Sequence, residues 1–384
     1  MKHICVVIHS RANYARVKSV LIKLNENPQC NLTIVVGASG LLFKYGNVAE
    51  IIEKDGFKIQ QKVYSAIEGN DPVVMAKTTG LLVIELSQIF FSLSPDLVVT
   101  IADRHETLAT AIAASYMNIP VCHIQGGEIT GSIDDSVRHA ITKLSHIHCV
   151  STKRAARIVS QLGEESKRIF LTGCPSLDLA KTAKFEPYLE ILKRYFPNED
   201  LEDFKNGFLM VLQHSNTLFY DQARSETEAT LSAVLKTSLP TIWLWPNIDS
   251  GTDSISKRLR EHISSGVKSK ILFCRNFNPE EYINLLKQTL CLIGNSSSGI
   301  RESSLIGTPS VNIGLRQKNR EVGPNVIHAN FDTDQIFNSI STQILHGRYI
   351  GNALYGEGNS GKRIADLLMD QKFDVNKEFV FWKE

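Results

Sequence analysis

Short apolar runs recur along the chain, and each run ends at or near a glycine or a polar residue. We interpret these runs as buried β-strands, because they are almost continuously apolar, as parallel strands covered on both faces are. Twelve strands are predicted in this way: His3–Ile8, Leu32–Gly37, Leu97–Ala102, Val121–Gln125, Ile147–Val150, Ile169–Thr172, Phe208–Leu212, Ile242–Trp245, Ile271–Cys274, Cys291–Ile293, Ser310–Ile313 and Val326–Ile327.

Segments with the period of a helix lie between most of these strands. The clearest are Arg16–Asn25, His105–Tyr116, Asp135–Leu144, Thr152–Leu162, Ala223–Leu235 and Pro279–Gln288. Alternating strands and helices predict an α/β fold with parallel sheets. A polar region, Ala180–Lys205, separates the strands into two sets of about six. We therefore predict two Rossmann-like, doubly wound domains facing a cleft, 1–174 and 175–365, with ligands bound outside the carboxyl ends of the strands.

Length and composition agree with this organisation. The 384 residues are 43% hydrophobic, which is enough for two domains with sizeable cores. A formal net charge of +2 gives no support for nucleic acid or a membrane surface as partner. The apolar runs fall short of the ~18 uncharged residues of a spanning helix. The amino-terminal run is interpreted as a strand rather than a signal peptide. Seven scattered cysteines without a Cys-x-x-Cys pair predict reduced, buried thiols in a cytoplasmic protein.

The segment "CLIGNSSSGIRE" carries the main binding signal of the second half. A strand ends, a turn of serines and glycines follows, and a helix is expected to begin near Ile300. Backbone amides at a helix start favour an anion, so Ser296 and Ser297 are candidate ligands of a nucleotide diphosphate. Glu302 would then accept hydrogen bonds from the ribose hydroxyls. The alternative is helix capping, which places Glu302 in register only if Gly299 is the N-cap.

Three more segments of the second half end in polar residues. His214 closes "FLMVLQH", and Asn247 and Asp249 follow "TIWLWP". Arg316 lies in "GLRQKNRE", directly after the next predicted strand, Ser310–Ile313. Each is a candidate cleft residue, and Arg316 can neutralise phosphate. The alternatives are ordinary turn formers and a solvated loop charge.

Carboxylates close neighbouring strands in the first half. Asp103 ends "DLVVTIAD", while Gln125, Glu128 and Asp134 follow the next strand. Clustered carboxyls perturb each other's pKa values, as proton transfer requires. In the alternative, Asp103 pairs with Arg104, and Asp134 caps a helix or pairs with Arg138.

Two arginines of the first half are candidate ligands. Arg11 follows the first strand in "IHSRANY" and is a candidate phosphate ligand, and Arg138 is a candidate substrate ligand.

Several other sites are disfavoured. "GEGNSG", Gly356 to Gly361, spells a dinucleotide fingerprint, but no strand precedes it and no βαβ unit follows, so we expect a helix entry. The histidines lack metal-binding spacing, and Gly-x-Ser-x-Gly is missing. We therefore expect no metal and no redox cofactor.

A set of motifs in chain order resembles the UDP-N-acetylglucosamine 2-epimerases, above all the hydrolysing branch that feeds sialic acid synthesis. The similarity covers about residues 1 to 370, and its motifs are "SRANY", "ADRHETLATAIAA", "HIQGGEITGSIDDSVRHAITKLSH", "LTGCPSLD", "WPNIDSG", "IGNSSSGIRE", "GTPSVNIGLRQKNRE" and "YGEGN". The resemblance implies the glycosyltransferase-B type of fold, a carboxyl-terminal segment 366–384 that crosses back to the first domain, and assembly as a homodimer or homotetramer.

The resemblance also implies roles for the candidate residues. Ser296 and Ser297 match diphosphate-binding serines and Glu302 a ribose-binding glutamate. The remaining matches are Arg11 and Arg316 at the nucleotide site, His214 and Asn247 in the second domain, and Asp103 and Asp134 as acidic active-site positions. In the family reaction a base removes the proton at sugar C2 while UDP leaves C1, giving 2-acetamidoglucal. Water then adds, and N-acetylmannosamine and UDP are released.

The chain departs from the family pattern at two positions. Relatives often carry glutamate where this chain has Gln125, and aspartate where it has Asn13. Glutamine is not a base near neutral pH, so either Glu128, Asp103 or Asp134 moves the proton, or the substrate is modified. Open alternatives are a UDP-2,4-diacetamido-6-deoxyhexose substrate, a non-hydrolysing epimerase, a non-catalytic nucleotide-sugar regulator and a glycosyltransferase.

Overall fold

The chain folds into two compact units. The computed structural model describes residues 1–43, 46–69, 72–246, 250–266, 269–372 and 374–381. Unit 1 contains Met1–Ile129, Ile133–Asp178 and Tyr355–Glu384, and unit 2 contains Thr130–Ser132 and Leu179–Leu354. The two units thus divide after residue 178 and before residue 355. The sequence analysis placed these two domain limits after residues 174 and 365.

Unit 1 is built on a sheet of seven parallel strands in the order β3-β2-β1-β4-β5-β6-β7. The strands are β1 (Lys2–Ile8), β2 (Cys30–Gly37), β3 (Ile59–Val63), β4 (Leu97–Ile101), β5 (Val121–Ile124), β6 (Ile147–Val150) and β7 (Ile169–Leu171). The helices are α1 (Arg11–Ala15), α2 (Lys18–Asn25), α3 (Val48–Lys54), α4 (Pro72–Leu93), α5 (His105–Tyr116), α6 (Asp134–Leu144) and α7 (Lys153–Gln161). The chain leaves the unit in α8 (Ser176–Thr182).

Unit 2 is built on six parallel strands in the order β10-β9-β8-β11-β12-β13. They are β8 (Leu209–Leu212), β9 (Thr241–Leu244), β10 (Ile271–Cys274), β11 (Cys291–Gly294), β12 (Ser310–Ile313) and β13 (Val326–Ala329). The helices are α9 (Tyr188–Tyr195), α10 (Ala223–Thr237), α11 (Thr252–Ser264), α12 (Pro279–Gln288), α13 (Glu302–Ile306) and α14 (Thr333–His346). Both sheets are covered on both faces, since each unit has at least two clusters of buried apolar side chains.

The prediction of two parallel-sheet α/β domains is confirmed. All twelve predicted strands are present, with ends displaced by no more than two residues. The missed strand is β3, whose sequence IQQKV has three exposed polar residues at its centre. It pairs with β2 at the end of the sheet, where polar side chains do not have to be buried.

The last part of the chain belongs to unit 1. The two carboxylate oxygens of Asp178 accept hydrogen bonds from the amides of Ser360 and Gly361, at 2.9 and 2.6 Å, where α15 (Ser360–Asp370) begins. Ile364 and Leu368 of this helix are fully buried in the core of unit 1. The "GEGNSG" motif is therefore a helix entry, as predicted.

Helix α4 corrects one expectation from the sequence. Among the described residues, α4 is long and apolar enough to cross a membrane by length and composition, with a mean hydropathy of 1.4. The sequence analysis found no such segment because Lys77 and Glu85 interrupt the apolar run. Buried Leu82, Leu86 and Phe90 tie the helix into the core of unit 1.

Candidate functional site

Both sheets reverse their strand order at one point, and the candidate residues follow the strands there. The reversal lies between β1 and β4 in unit 1 and between β8 and β11 in unit 2. Open parallel sheets bind ligands at the carboxyl ends of such strands. Arg11 and Asp103 follow the first pair of strands, and His214 and Ser296 follow the second pair.

The backbone at this edge of unit 1 has unusual conformations. Ala38, Ala102 and Gln125 follow β2, β4 and β5 with φ angles of 50°, 68° and 69°. Non-glycine residues in the left-handed region are uncommon, and such strain concentrates at functional sites.

His123 of β5 supports one of these strand ends, the one after β4, and links it to α6. Its Nε2 lies 2.7 Å from the carbonyl oxygen of Ala102, and its Nδ1 lies 3.2 Å from Oγ1 of Thr142. Burial lowers the pKa of His123 to about 3, so the ring is neutral and donates one hydrogen bond. This ring fixes the turn that leads from β4 to Asp103.

Three of the predicted acids lie around one arginine. Arg138 of α6 is fully buried and forms an ion pair with Asp103. Its Nη1 also donates to the carbonyl oxygen of Glu128 at 2.7 Å and to Asp135 at 3.0 Å. Burial disfavours the charged form of Arg138, but the charges of Asp103, Glu128 and Asp134 outweigh burial and raise its pKa. The buried guanidinium thus carries its positive charge beside these three carboxyl groups.

The structure bears on the alternatives left open for these acids. Arg104 forms an ion pair with Glu106 at 3.0 Å, and Asp103 forms one with Arg138. The N-cap of α6 is Ile133, so Asp134 is the first helical residue rather than the cap. Within its own helix, Arg138 contacts Asp135 at 3.0 Å.

Gln125 lies buried beside this group. Its Nε2 donates to Sγ of Cys174 at 2.8 Å, and its Oε1 has no hydrogen-bond partner within the part of the chain that the structure describes. A buried carbonyl oxygen without a donor is costly, so this atom favours a partner that donates a hydrogen bond. Gln125 therefore offers an acceptor and cannot offer a base.

The turn after Gln125 requires glycine. Gly127 has a φ of +77°, and a Cβ there would lie 2.3 Å from the carbonyl oxygen of Ala155. No other residue can bring the chain this close to α7. The turn leads directly to Glu128, whose side chain is 5% exposed.

Arg11 begins α1 directly after β1. Ser10 is the N-cap, and its Oγ accepts from the amide of Asn13. The role of Arg11 as a phosphate ligand stays a prediction. The sequence analysis missed His9, two residues earlier, whose Nε2 lies 2.7 Å from Oγ1 of Thr110. Burial lowers the pKa of His9 to about 4, so it is neutral near physiological pH.

In unit 2, Asn295 joins the ends of three strands. Its Oδ1 accepts from the amide of His214 at 2.8 Å, and its Nδ2 donates to the His214 carbonyl at 2.7 Å. Its own carbonyl oxygen accepts from Arg316 at 3.3 Å and from Gln317 at 2.8 Å. The predicted residues His214 and Arg316 are thus both held by a residue that the sequence analysis did not single out.

The serine turn differs in detail from the prediction. Ser297–Gly299 form a short 3-10 helix capped by Ser296, and α13 begins at Glu302 rather than near Ile300. The hydroxyl of Ser298 accepts from Tyr282 at 2.7 Å. The turn follows Gly294, where a Cβ would lie 2.2 Å from the carbonyl oxygen of Leu212.

The position of Glu302 excludes the capping alternative. Arg301 is the N-cap of α13, so Glu302 is the first helical residue, and a capping box requires the third. Its Oε2 is buried and has no hydrogen-bond partner among the described residues. This carboxylate oxygen is available to a ligand.

Gln213 was missed by the sequence analysis. It follows β8, is fully buried, and neither of its amide atoms has a partner in the described part of the chain. Its position beside His214 at the end of a strand was the feature of the sequence that could have identified it.

The candidates Asn247 and Asp249 lie outside the described residues. Within the described ranges, no group of three or more His, Cys, Asp or Glu could hold a metal ion.

Comparisons with known proteins give a consistent result. The family model described as UDP-N-acetylglucosamine 2-epimerase matches residues 22–369. A Neisseria meningitidis serogroup B protein named UDP-N-acetylglucosamine 2-epimerase is 30% identical over 373 residues, covering 96% of this chain and 95% of that protein. A Legionella pneumophila protein named UDP-N,N'-diacetylbacillosamine 2-epimerase (hydrolyzing) is 31% identical over 374 residues, covering 96% of both.

A solved structure shares the fold. The crystal structure of a UDP-GlcNAc 2-epimerase from Neisseria meningitidis, bound to UDP-GlcNAc, superimposes with a TM-score of 0.78 at 15% identity. The match covers 96% of this chain and all of that one.

Proposed function

The chain belongs to the UDP-N-acetylglucosamine 2-epimerase family, and from this premise we propose that it is a hydrolysing 2-epimerase. It converts UDP-N-acetylglucosamine and water into N-acetylmannosamine and UDP. A base takes the proton from sugar C2, the C1–O bond to UDP breaks, and 2-acetamidoglucal forms. Water then adds across the double bond, with the proton at C2 and the hydroxyl at C1.

The observation that carries this proposal is the group of acids around Arg138. Loss of the C2 proton requires a base, and Asp103 is a predicted acid that forms an ion pair with the buried guanidinium. The side chain of Asp103 is 15% exposed, whereas Glu128 is buried, so Asp103 is more accessible to a substrate. The Legionella relative is named as a hydrolyzing epimerase, and this name supports the hydrolysing reaction over the non-hydrolysing one.

Unit 2 supplies the nucleotide site in this proposal. Ser296 and Ser297 bind the diphosphate, Arg316 neutralises it, and Glu302 accepts from the ribose hydroxyls. His214, at the end of β8, is a further cleft residue of this unit in the proposal.

A variant of Glu302 tests the nucleotide site. Glu302→Gln is expected to weaken UDP binding about 10- to 100-fold, because a charged acceptor for the ribose hydroxyls becomes a neutral one. Isothermal titration calorimetry measures the change. The wild type is expected to prefer UDP over 2′-deoxy-UDP, and the variant is expected to lose that preference.

A control variant lies in the same turn. Ser298→Ala should change UDP affinity less than about threefold, because the Ser298 hydroxyl is already engaged with Tyr282. If Glu302→Gln kept full affinity and the ribose preference, Glu302 would not be a ligand.

The reaction products test the function. Proton NMR of the protein with UDP-N-acetylglucosamine is expected to show free UDP and N-acetylmannosamine accumulating together. A stable mixture of UDP-sugars without free UDP would indicate the non-hydrolysing reaction. Binding without exchange of the C2 proton in D₂O would indicate a regulator, and turnover that appears only with an added acceptor would indicate a glycosyltransferase.

A modified sugar is the second candidate substrate. Gln125 stands where the family resemblance implies glutamate, and its buried Oε1 can accept a hydrogen bond from a substrate N–H or O–H. The name of the Legionella relative favours a UDP-2,4-diacetamido-6-deoxyhexose. The kcat/KM values of the two substrates, measured side by side, decide between them. A kcat/KM for UDP-N-acetylglucosamine that equals or exceeds that for the modified sugar rejects the modified sugar.

A further inference from the structure

Three residues between β5 and α6 belong to unit 2, while the chain on either side of them belongs to unit 1. They are Thr130–Ser132, and unit 1 stops before them at Ile129 and resumes after them at Ile133. Two of the predicted acids, Glu128 and Asp134, flank this segment in the sequence. The place where unit 2 holds these three residues therefore affects the main chain of both acids.

Gly131, the middle residue of the segment, is held at both of its backbone polar groups. Its amide donates to the carbonyl oxygen of Arg316 at 3.1 Å, and its carbonyl oxygen accepts from Nδ2 of Asn216 at 3.1 Å. A Cβ at Gly131 would lie 1.9 Å from the carbonyl oxygen of Leu315. Only glycine lets the segment approach this main chain so closely.

Asn216 is oriented for its hydrogen bond to Gly131. Its Oδ1 accepts from the amide of Leu218 at 3.1 Å, which is the hydrogen bond of an Asx turn. This bond directs the Nδ2 donor of the same side chain to the carbonyl oxygen of Gly131. Asn216 is buried, so the loss of either partner would be costly. The loop after β8 thus presents a fixed donor to the segment.

The two loops that hold Gly131 also carry residues of the proposed nucleotide site. Asn216 lies two residues after His214, and the carbonyl oxygen that accepts from Gly131 belongs to Arg316. Asn295 joins both loops, since it is hydrogen bonded to the main chain of His214 and accepts from the guanidinium of Arg316. The segment is therefore fastened to the framework that holds these nucleotide-site residues.

The chain on either side of the segment is fixed as well. Before the segment, the carbonyl oxygen of Glu128 accepts from Arg138 at 2.7 Å. After the segment, Ile133 is the N-cap of α6, the helix that contains both Asp134 and Arg138. Because the chain is held on both sides, a shift of Gly131 is passed on to the two acids instead of being absorbed by a loose loop.

We propose that Gly131 and Asn216 are positioning residues of the proposed reaction, and this inference rests on that function. The product sugar is the C2 epimer of the substrate sugar, so the proton leaves one face of C2 and returns to the other. Asp103 therefore needs a second acid, which Glu128 or Asp134 supplies. Gly131 and Asn216 act through these acids, by keeping them in the geometry that proton transfer requires.

Gly131→Ala tests the position of the segment. The new Cβ forces the segment away from Leu315 by on the order of 1 Å, which should lower kcat about 100-fold. KM and UDP affinity should each change less than about fivefold, because geometry that is needed only for the chemical step affects kcat and leaves binding intact. The kcat is measured with whichever of the two UDP-sugars the wild type consumes, and UDP affinity by isothermal titration calorimetry.

Gly80→Ala is the matched control for Gly131→Ala. A Cβ at Gly80 of α4 would meet no atom within 4 Å, so the same substitution there should keep kcat within about twofold of the wild type. Circular dichroism checks that both variants stay folded.

Asn216→Ser removes one of the two hydrogen bonds to Gly131 without adding volume or charge. Serine can accept from the amide of Leu218 as asparagine does, but its side chain is too short to reach Gly131 as well. The kcat should fall about tenfold, with UDP affinity changed less than about threefold. When Asn216→Ser is combined with Gly131→Ala, kcat should be no more than about twofold lower than in Gly131→Ala alone, because the segment is already displaced.

Several results would overturn the proposal. One is an active wild type whose kcat stays within about threefold in Gly131→Ala. Others are a UDP affinity that falls as much as kcat, which would make the segment part of the nucleotide site, and losses of kcat that multiply in the double variant. If Gly131→Ala does not fold, an unchanged kcat in Asn216→Ser rejects the proposal. A wild type that consumes neither UDP-sugar would instead reject the proposed function, and the positioning role with it.

Discussion

Asp103→Asn is expected to lower kcat about 1000-fold or more while changing UDP affinity less than about threefold. Asparagine keeps the shape of aspartate and can still accept from Arg138, so the fold and the position of α6 should persist. It cannot take a proton from carbon. The exchange of the C2 proton in D₂O, followed by proton NMR, should fall by the same factor as UDP release.

Asp135→Asn is the matched control for Asp103→Asn. Asp135 contacts the same guanidinium, at 3.0 Å, and is 29% exposed. Loss of its charge should reduce kcat less than about tenfold, because Asp135 does not take the proton in this proposal and Asp103 still offsets the guanidinium charge. If Asp103→Asn exchanged the C2 proton at the wild-type rate, Asp103 would not be the base. Glu128→Gln and Asp134→Asn would then be the next variants to measure.

The elements near the site were predictable because their signals are local. Buried parallel strands are apolar throughout, so β4, β5, β8 and β11 stand out in the sequence. The residues that close such strands gather at one edge of a parallel sheet, which is how Asp103 and His214 were found.

Contacts between distant residues were not predictable. Asp103 was adjacent to Arg104 in sequence, yet it pairs with Arg138, 35 residues away. Asn295 was missed because a single asparagine after a strand is typical of an ordinary turn. Its role depends on three strand ends meeting, which only the folded sheet defines.

Buried polar atoms without a hydrogen-bond partner could not be recognised from the sequence either. The unpartnered atoms of Gln125, Gln213 and Glu302 became evident only when their surroundings in the described chain were known.

Beyond the site, a buried ion cluster fastens the end of the chain to unit 1. Glu164, whose side chain is 1% exposed, contacts Lys143 at 2.5 Å, Lys377 at 2.9 Å and His148 at 3.1 Å. Lys377 also donates to the carbonyl oxygens of residues 143 and 145. Burial raises the pKa of Glu164, but hydrogen bonds from His148, Lys143 and Lys377 outweigh burial and hold the pKa at about 2.

Glu164→Gln is expected to lower the free energy of unfolding by about 2–4 kcal/mol at pH 7, because it leaves Lys377 and its neighbours without a counter-charge. Urea unfolding measures the change. Glu190→Gln is the control, because Glu190 and Lys193 form an exposed pair that should contribute less than about 0.5 kcal/mol.

The difference between wild type and Glu164→Gln should depend on pH with a definite sign. The pKa of Glu164 is lower in the folded chain than the ordinary value of about 4.3 in the unfolded chain, so the unfolded chain binds more protons between these values. The stabilisation is therefore complete above about pH 5 and is lost as the pH falls toward 2. Burial lowers the pKa of His148, so both proteins lose stability below about pH 6.5, and the loss is larger in Glu164→Gln because Glu164 raises the pKa of His148. The Glu164 carboxylate is therefore tested below about pH 4, where a wild-type advantage that grew on further acidification would contradict its ionised state in the folded chain.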